Sequence, residues 1–282
     1  MPSMKTIKRR IASVDTTKKI MKAMDMVAAA KLQKVKVWLE SARPFADEAK
    51  KVLAALGSCY EVRDSPYVRV RKVKHTAYVV ITSDRGLCGS HNVNLTQKVL
   101  SKINEGANER IVAVGLKGHE YFTARGKQVL RTFPDVSETV LYADAMRVAE
   151  FTLGLYASGQ VDEVYVAYTH FETVLTHVPR LVKVLPAVIP PREAAPSCGM
   201  RYEPDVQSFL DHAIPVFLNA FLYVALVESS ACEQAARMMS MESAVNNASD
   251  IIGKLTRSYN RRRQSAITQE ISEIVSSASL MK

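Results

Sequence analysis

Residues 7–56 read IKRRIASVDTTKKIMKAMDMVAAAKLQKVKVWLESARPFADEAKKVLAAL. From Ile7, the positions Ile11, Val14, Lys18, Met21, Asp25, Ala28, Leu32, Val35, Leu39, Ala42, Ala46, Ala49, Leu53 and Leu56 follow in alternating steps of four and three. Only Lys18 and Asp25 in that series are not apolar. A repeat of about 3.5 residues keeps one seam of a helix facing a partner helix and winds the pair left-handed. The spacing predicts one helix from about Lys5 to Leu56, stopped by Gly57, with Pro44 bending it or opening one hydrogen bond. Its length would be roughly 75–80 Å at 1.5 Å per residue, far beyond the globular average of about 11–12 residues.

The same spacing returns near the other end, through Ala231, Gln234, Met238, Met241, Val245, Ala248, Ile252, Leu255, Tyr259, Arg262 and Ala266. Two long seams so far apart in sequence can pair with each other as an antiparallel coiled coil. The last helix is predicted from about Asp205 to near the C-terminus, roughly 110 Å if continuous. Past Ala266 the seam shifts by one position, to Ile267, Ile271, Ile274, Ala278 and Met281. The first helix has run out by then. This leaves an uncovered apolar tip of about 15–20 residues, and exposed apolar patches of that kind mark interfaces.

Between the helices the period changes. Thr76–Thr82, Arg110–Val114, Gln128–Arg131, Glu163–Thr169 and Leu181–Leu185 read as short strands. Val93–Asn104, Leu116–Ala124 and Ala143–Ser158 read as helices. Strands alternating with helices predict βαβ units and a mostly parallel sheet. Ser58–Lys74 reads as a polar connector, and recurring prolines from Pro186 to Pro204 mark a boundary loop. The predicted fold is α/β: a long antiparallel coiled coil of the terminal helices plus a central Rossmann-like α/β domain. Its parts are an N-terminal coiled-coil helix over 1–57, the α/β domain over 75–190 and a C-terminal coiled-coil helix over 205–282. The most apolar stretch, Ala213–Val227, contains Pro215 and Asn219 and is shorter than the ~20 apolar residues of a membrane span. It reads as a helix buried against protein on more than one side.

The chain has 282 residues and a net charge of +10, enough to imply an acidic partner surface, nucleic acid or anionic lipid. Cys59, Cys88, Cys198 and Cys232 are scattered without C-x-x-C spacing and read as free thiols in a reducing compartment. No apolar signal core opens the chain. Neither a G-x-x-x-x-G-K-[ST] loop nor a G-x-G-x-x-G after a strand is present, so no nucleotide cofactor is expected. The six histidines show no spacing that suggests a metal site, and no catalytic constellation can be assembled.

Two sequence features remain. Ser83-Asp84-Arg85-Gly86-Leu87-Cys88-Gly89 follows the first strand, where open α/β sheets place ligands. It reads either as a tight turn, with Gly86 and Gly89 supplying unusual backbone angles, or as an exposed loop carrying Arg85 toward a partner. Basic clusters occur at Lys5, Lys8, Arg9 and Arg10, at Lys18, Lys19 and Lys22, and at Arg257 and Arg261–Arg263. The last cluster projects around most of its helix, which suits a helix surrounded by partners or lying on a polyanion.

These residues resemble the γ subunits of rotary F-type ATP synthases over nearly the whole chain. The resemblance rests on IKRRI (7–11) through MDMVAAAKL (24–32), on ITSDRGLCG (81–89), on EQAARM (233–238), and on LTRSYNRRRQ (255–264) with ITQEISEI (267–274). Ser277 stands where that family usually has glycine. The resemblance implies a central-stalk rotor that couples ion flow through the membrane c-ring to the β catalytic sites by turning inside a ring of three α and three β subunits. It implies no covalent chemistry in this chain, an ε-subunit neighbour beside the c-ring, and no nucleic acid or nucleotide of its own. By the same resemblance, Arg85, Arg263 and Gln264 contact β-subunit loops. Ile267, Ile271, Ile274, Ala278 and Met281 form the rotor tip in an apolar bearing. The expected place is the cytoplasmic side of a bacterial plasma membrane, peripheral to it; the alternative is the matrix side of the mitochondrial inner membrane. A nucleic-acid-binding coiled-coil protein and a nucleotide-dependent α/β enzyme are the rival readings.

Overall fold

The computed structural model describes residues 3–55, 65–103, 108–137, 139–187 and 205–280, apart from the side chains of 53–55, 206–207 and 277–280. The expected stop at Gly57, most of the boundary prolines, Cys59, Cys198 and Met281 lie outside them. Two compact units are present, one of residues 1–28 and 238–282 and one of residues 29–237. The boundaries read from the sequence followed secondary structure. These units instead divide both long helices, because packing rather than helical continuity defines them.

In the first unit lie the start of α1 (Met4–Ala55) and the end of α5 (Val206–Leu280), helices of 52 and 75 residues. The seam alternation is reproduced in burial. Ile7 and Ala28 are buried, and Ile11, Val14, Lys18, Met21 and Asp25 are half-buried, while most positions between them are exposed. On α5 the same holds for Met238, Met241, Val245, Ala248, Ile252, Leu255, Tyr259, Arg262 and Ala266. From Ile267 to Ser276 every residue is exposed.

The second unit is built on a five-stranded sheet of order β3-β2-β1-β4-β5. Its strands are β1 (His75–Ile81), β2 (Asn108–Val114), β3 (Val129–Phe133), β4 (Glu163–Phe171) and β5 (His177–Leu185). Helices α2 (His91–Ile103), α3 (Leu116–Thr123) and α4 (Tyr142–Ala157) connect the parallel strands. β1 pairs parallel with β2 and β4, and β2 with β3. β5 runs antiparallel to β4, because the residues between them form a hairpin too short for a crossover. β5 begins four residues earlier than the apolar pattern suggested. Pro179 masks its start in the sequence and is tolerated because β5 is an edge strand.

One face of the sheet, with Tyr78, Val80, Ile111 and Ala167, packs on Leu95, Val99 and Ile103 of α2 and on Phe122 of α3. Each of the Val, Leu, Ile and Phe side chains among them contributes about 1.5–3 kcal/mol relative to leaving it in water. Residues 225–235 of α5 are buried without interruption. α5 is the one described helix whose length and composition would suit a membrane span. In this unit the helix is only partly covered over its most apolar stretch, where Val216 stays 48% exposed. It is tied to the sheet around and just after that stretch: Phe221 meets Tyr168 edge-on, Ser229 Oγ accepts the Thr169 N–H at 3.2 Å, and Cys232 Sγ donates to the Thr169 carbonyl.

Candidate partner-contact sites

The loop after β1 lies in the second unit. Leu87 (φ 64°) and Gly89 (φ 56°) take left-handed backbone angles. Gly86 does not, which corrects the expectation for that glycine: the turn's strain falls on Leu87. Arg85, Gly86 and Leu87 are exposed and Cys88 is buried. The tight turn and the exposed presentation are therefore both real, and the turn produces the exposure.

The polar groups around this loop are used internally. The Ser83 N–H donates to Asn92 Oδ1 at 3.0 Å, and Ser83 Oγ donates to the Arg85 carbonyl at 2.7 Å. Asp84 accepts the Leu116 N–H at 3.0 Å on Oδ1 and the Ser137 hydroxyl at 2.9 Å on Oδ2. Thr82 Oγ1 accepts the Gly118 N–H at 2.8 Å. Thr82 and Asp84 thus satisfy the first turn of α3, where a nucleotide phosphate would need free amides. Gly115 (φ 92°) is required there because a Cβ would lie 2.2 Å from the Thr82 carbonyl oxygen.

Open sheets of this order bind ligands at the carboxyl ends of the strands, where the chain reverses. Here that crevice is closed by α5. Ile81, Thr82, His91 and Val114 meet Leu226, Ser229, Ser230 and Glu233 with no space for a water molecule between them. Burial lowers the pKa of His91 to about 3, with the charges of His177 and Arg237 adding to the shift. Burial pushes the thiols of Cys88 and Cys232 up, so neither is poised as a nucleophile. Burial also pushes the Glu233 carboxyl up, against the nearby Arg237 charge. Among the described residues no group of three or more His, Cys, Asp or Glu side chains could hold a metal.

Two networks could not be read from the sequence. Glu233 pairs with Arg237 at 2.7 Å, and Arg237 reaches the Gly86 carbonyl at 3.4 Å. Arg43, Glu228 and His170 form the other, with His170 Nδ1 2.6 Å from Glu228 Oε2. Glu233 and Arg237 are four residues apart within the EQAARM block, but their tie to Gly86 crosses 151 residues. The members of the other network lie up to 185 residues apart, and no motif links them.

In the first unit, Arg257, Arg261, Arg263 and Gln264 are exposed and Arg262 is half-buried on the seam. Arg261, Arg262 and Arg263 enter no ion pair among the described residues, and the exposed Arg261 and Arg263 present their charge to solvent. Residues 1–28 and 238–282 carry thirteen of the chain's 38 Lys and Arg side chains against six of its 28 Asp and Glu. Beyond this collar Ile267 is 46% exposed, Ile271 56% and Ile274 67%. Val275, at 61%, belongs to the same surface and was not read from the seam. The Ala278 side chain and Met281 lie outside the described residues.

The fold and these surfaces define a chain with a paired-helix unit and an α/β unit, in which α5 fills the crevice at the strand ends and basic and apolar surfaces are exposed. A family model described as ATP synthase matches residues 3–281, and the chain belongs to the ATP synthase gamma chain family. It is 40% identical to the ATP synthase gamma chain of Desulforamulus reducens over 283 residues, covering 100% of both chains. It is also 40% identical to that of Alkaliphilus metalliredigens, covering 99% of each. Among solved structures it is similar to the central stalk and c-ring of the Tetrahymena thermophila mitochondrial ATP synthase, with a TM-score of 0.63 and 26% identity over 80% of this chain and 99% of that one. The rotor of the Euglena gracilis mitochondrial ATP synthase shares the fold, with a TM-score of 0.70 and 17% identity over 94% and 98% of the two chains.

Proposed function

We propose that the chain is the central-stalk rotor subunit of an F-type ATP synthase, turning within a ring of α and β subunits and coupling ion flow through the c-ring to their catalytic sites. The observation that carries this reading is the end of the last helix. Burial of its seam stops at Ala266, and the apolar side chains of 267–275 are exposed, with no cover among the described residues. An exposed apolar helix face needs a partner surface, and the basic collar directly before it fits acidic neighbours. The chain performs no covalent step itself; it works by presenting different faces to its partners. Arg85, Arg263 and Gln264 are its contacts to β-subunit loops, and the apolar tip turns in a bearing formed by the ring. The complex is membrane-associated. This chain is peripheral on the cytoplasmic side of a bacterial plasma membrane, held through the c-ring beside an ε subunit.

The test is Arg263→Ala with Gln264→Ala in the assembled complex. Both side chains are exposed, so truncation removes no internal packing. Charge-assisted hydrogen bonds to a partner are worth about 1.5–3 kcal/mol each, so ATP hydrolysis or its coupling to ion pumping should fall severalfold. The circular dichroism of the purified chain should not change. Undiminished turnover and pumping would remove both residues from the mechanism.

A further inference from the structure

The loop that presents Arg85 is tied to α5 through a residue outside its own sequence motif. Ser137 lies in the turn after β3, 7% exposed. Its hydroxyl donates to Asp84 Oδ2 at 2.9 Å and faces the Asp84 N–H at 3.4 Å. Its carbonyl accepts the Ser230 hydroxyl of α5 at 3.0 Å. Asp84 is thereby fixed on both carboxylate oxygens, one to α3 and one to Ser137. A second tie runs from α5 to the same loop, from Arg237 to the Gly86 carbonyl.

We propose that Ser137 and Asp84 are positioning residues, which hold the exposed Arg85 in one fixed place relative to α5 so that its contact with a partner subunit is formed without first ordering the loop. This rests on the reading of Arg85 as a contact to an acidic partner loop. Arg85, Gly86 and Leu87 protrude into solvent, and Leu87 sits in the left-handed region that disfavours its side chain. Such a loop keeps one shape only where surrounding bonds over-determine it. A contact made by a held arginine loses less conformational freedom than one made by a mobile arginine. The buried serine that bridges Asp84 to α5 supplies that constraint from inside the fold.

The experiment is a double-mutant cycle in the assembled, membrane-bound complex, reading ions pumped per ATP hydrolysed for Ser137→Ala, Arg85→Ala and the pair. The Ser137 hydroxyl donates to a carboxylate, and losing such a charge-assisted bond corresponds to about tenfold or more. Because the Leu116 and Arg237 ties to the loop remain, Ser137→Ala should lower pumping at least about threefold when Arg85 is present and have little effect in the Arg85→Ala background. An equal loss in both backgrounds, or none in either, overturns the positioning role. If Arg85→Ala alone changes nothing, the reading of Arg85 as a partner contact fails instead. Should Ser137→Ala not assemble, Asp84→Asn, which preserves side-chain size, enters the same cycle with the same two outcomes.

Discussion

Arg43 of α1 closes on Glu228 of α5 through two hydrogen bonds to one carboxylate oxygen, 3.0 Å from Nε and 2.8 Å from Nη2. The same guanidinium donates to the Phe171 carbonyl of β4 at 2.7 Å. Three elements of the second unit meet at this one planar cation, and only an arginine offers donors in the required fork.

Glu228 is almost completely buried while Arg43 is partly exposed. Arg43→Ala leaves a buried carboxylate with His170 as its remaining partner. Removing one member of a buried pair costs about 3–5 kcal/mol, and the retained His170 contact places this case at the lower end. Arg43→Lys recovers little, since an ammonium cannot bond the carboxylate and the carbonyl in the same geometry. Urea denaturation midpoints of the unsubstituted chain and the two variants check this; a midpoint unmoved by Arg43→Ala would refute it.

Gly115→Ala should be among the most damaging single changes in the chain. The new methyl would meet the Thr82 carbonyl oxygen at 2.2 Å and its carbon at 2.8 Å, both backbone, at a φ of 92° that alanine avoids. A loss of more than about 3 kcal/mol is expected, because strain and overlap add. Gly126→Ala is the control. It also has positive φ but open space around it, so its loss should be about 1 kcal/mol. Thermal or urea unfolding of the two variants ranks them, and comparable losses would show that the overlap at Gly115 is relieved.

Acid should destabilise the second unit through His91. Its folded pKa is lowered to about 3 by burial, while an unfolded histidine titrates near pH ~6.5. Below that value the unfolded chain binds a proton that the folded chain refuses, so stability falls as pH drops from about 6.5 toward 3. At pH ~5 the loss is about 2 kcal/mol. His91→Leu should flatten this slope, whatever its own cost near neutral pH. Denaturant titrations at pH ~7 and pH ~5 decide the matter, and an unchanged pH difference in the variant would exclude His91 as its source.

Ile271→Lys with Ile274→Lys should improve the behaviour of the isolated chain and harm the assembled complex. Both side chains are more than half exposed, so no internal packing is lost. Binding of an apolar dye and concentration-dependent aggregation should drop, with helicity unchanged, while assembly with α and β subunits weakens. Full assembly by the double-lysine chain would show that the tip needs no apolar cover.

The helical seams were legible in the sequence because their information is local. A repeat of about 3.5 residues sorts side chains into facing and non-facing positions without reference to anything distant. The break after Ala266 was visible for the same reason, and burial ends at that residue. The strands and connecting helices of the α/β domain were likewise found from their changing period. The antiparallel start of β5 was not, since Pro179 interrupts the pattern and only an edge position makes it acceptable.

The sequence by itself determined the two long helices, the α/β character of the middle, the lack of a phosphate-binding fingerprint and the apolar end. Tertiary structure alone decided what fills the sheet's crevice and what holds the Arg85 loop. Ser137, Ser230, Glu233 and Arg237 reach that loop from elements distant in sequence, and a lone serine or glutamate has no pattern that announces its partner. A repeat records which side of a helix is covered. It carries no record of which buried oxygen accepts which hydrogen, because that depends on where the folded chain returns.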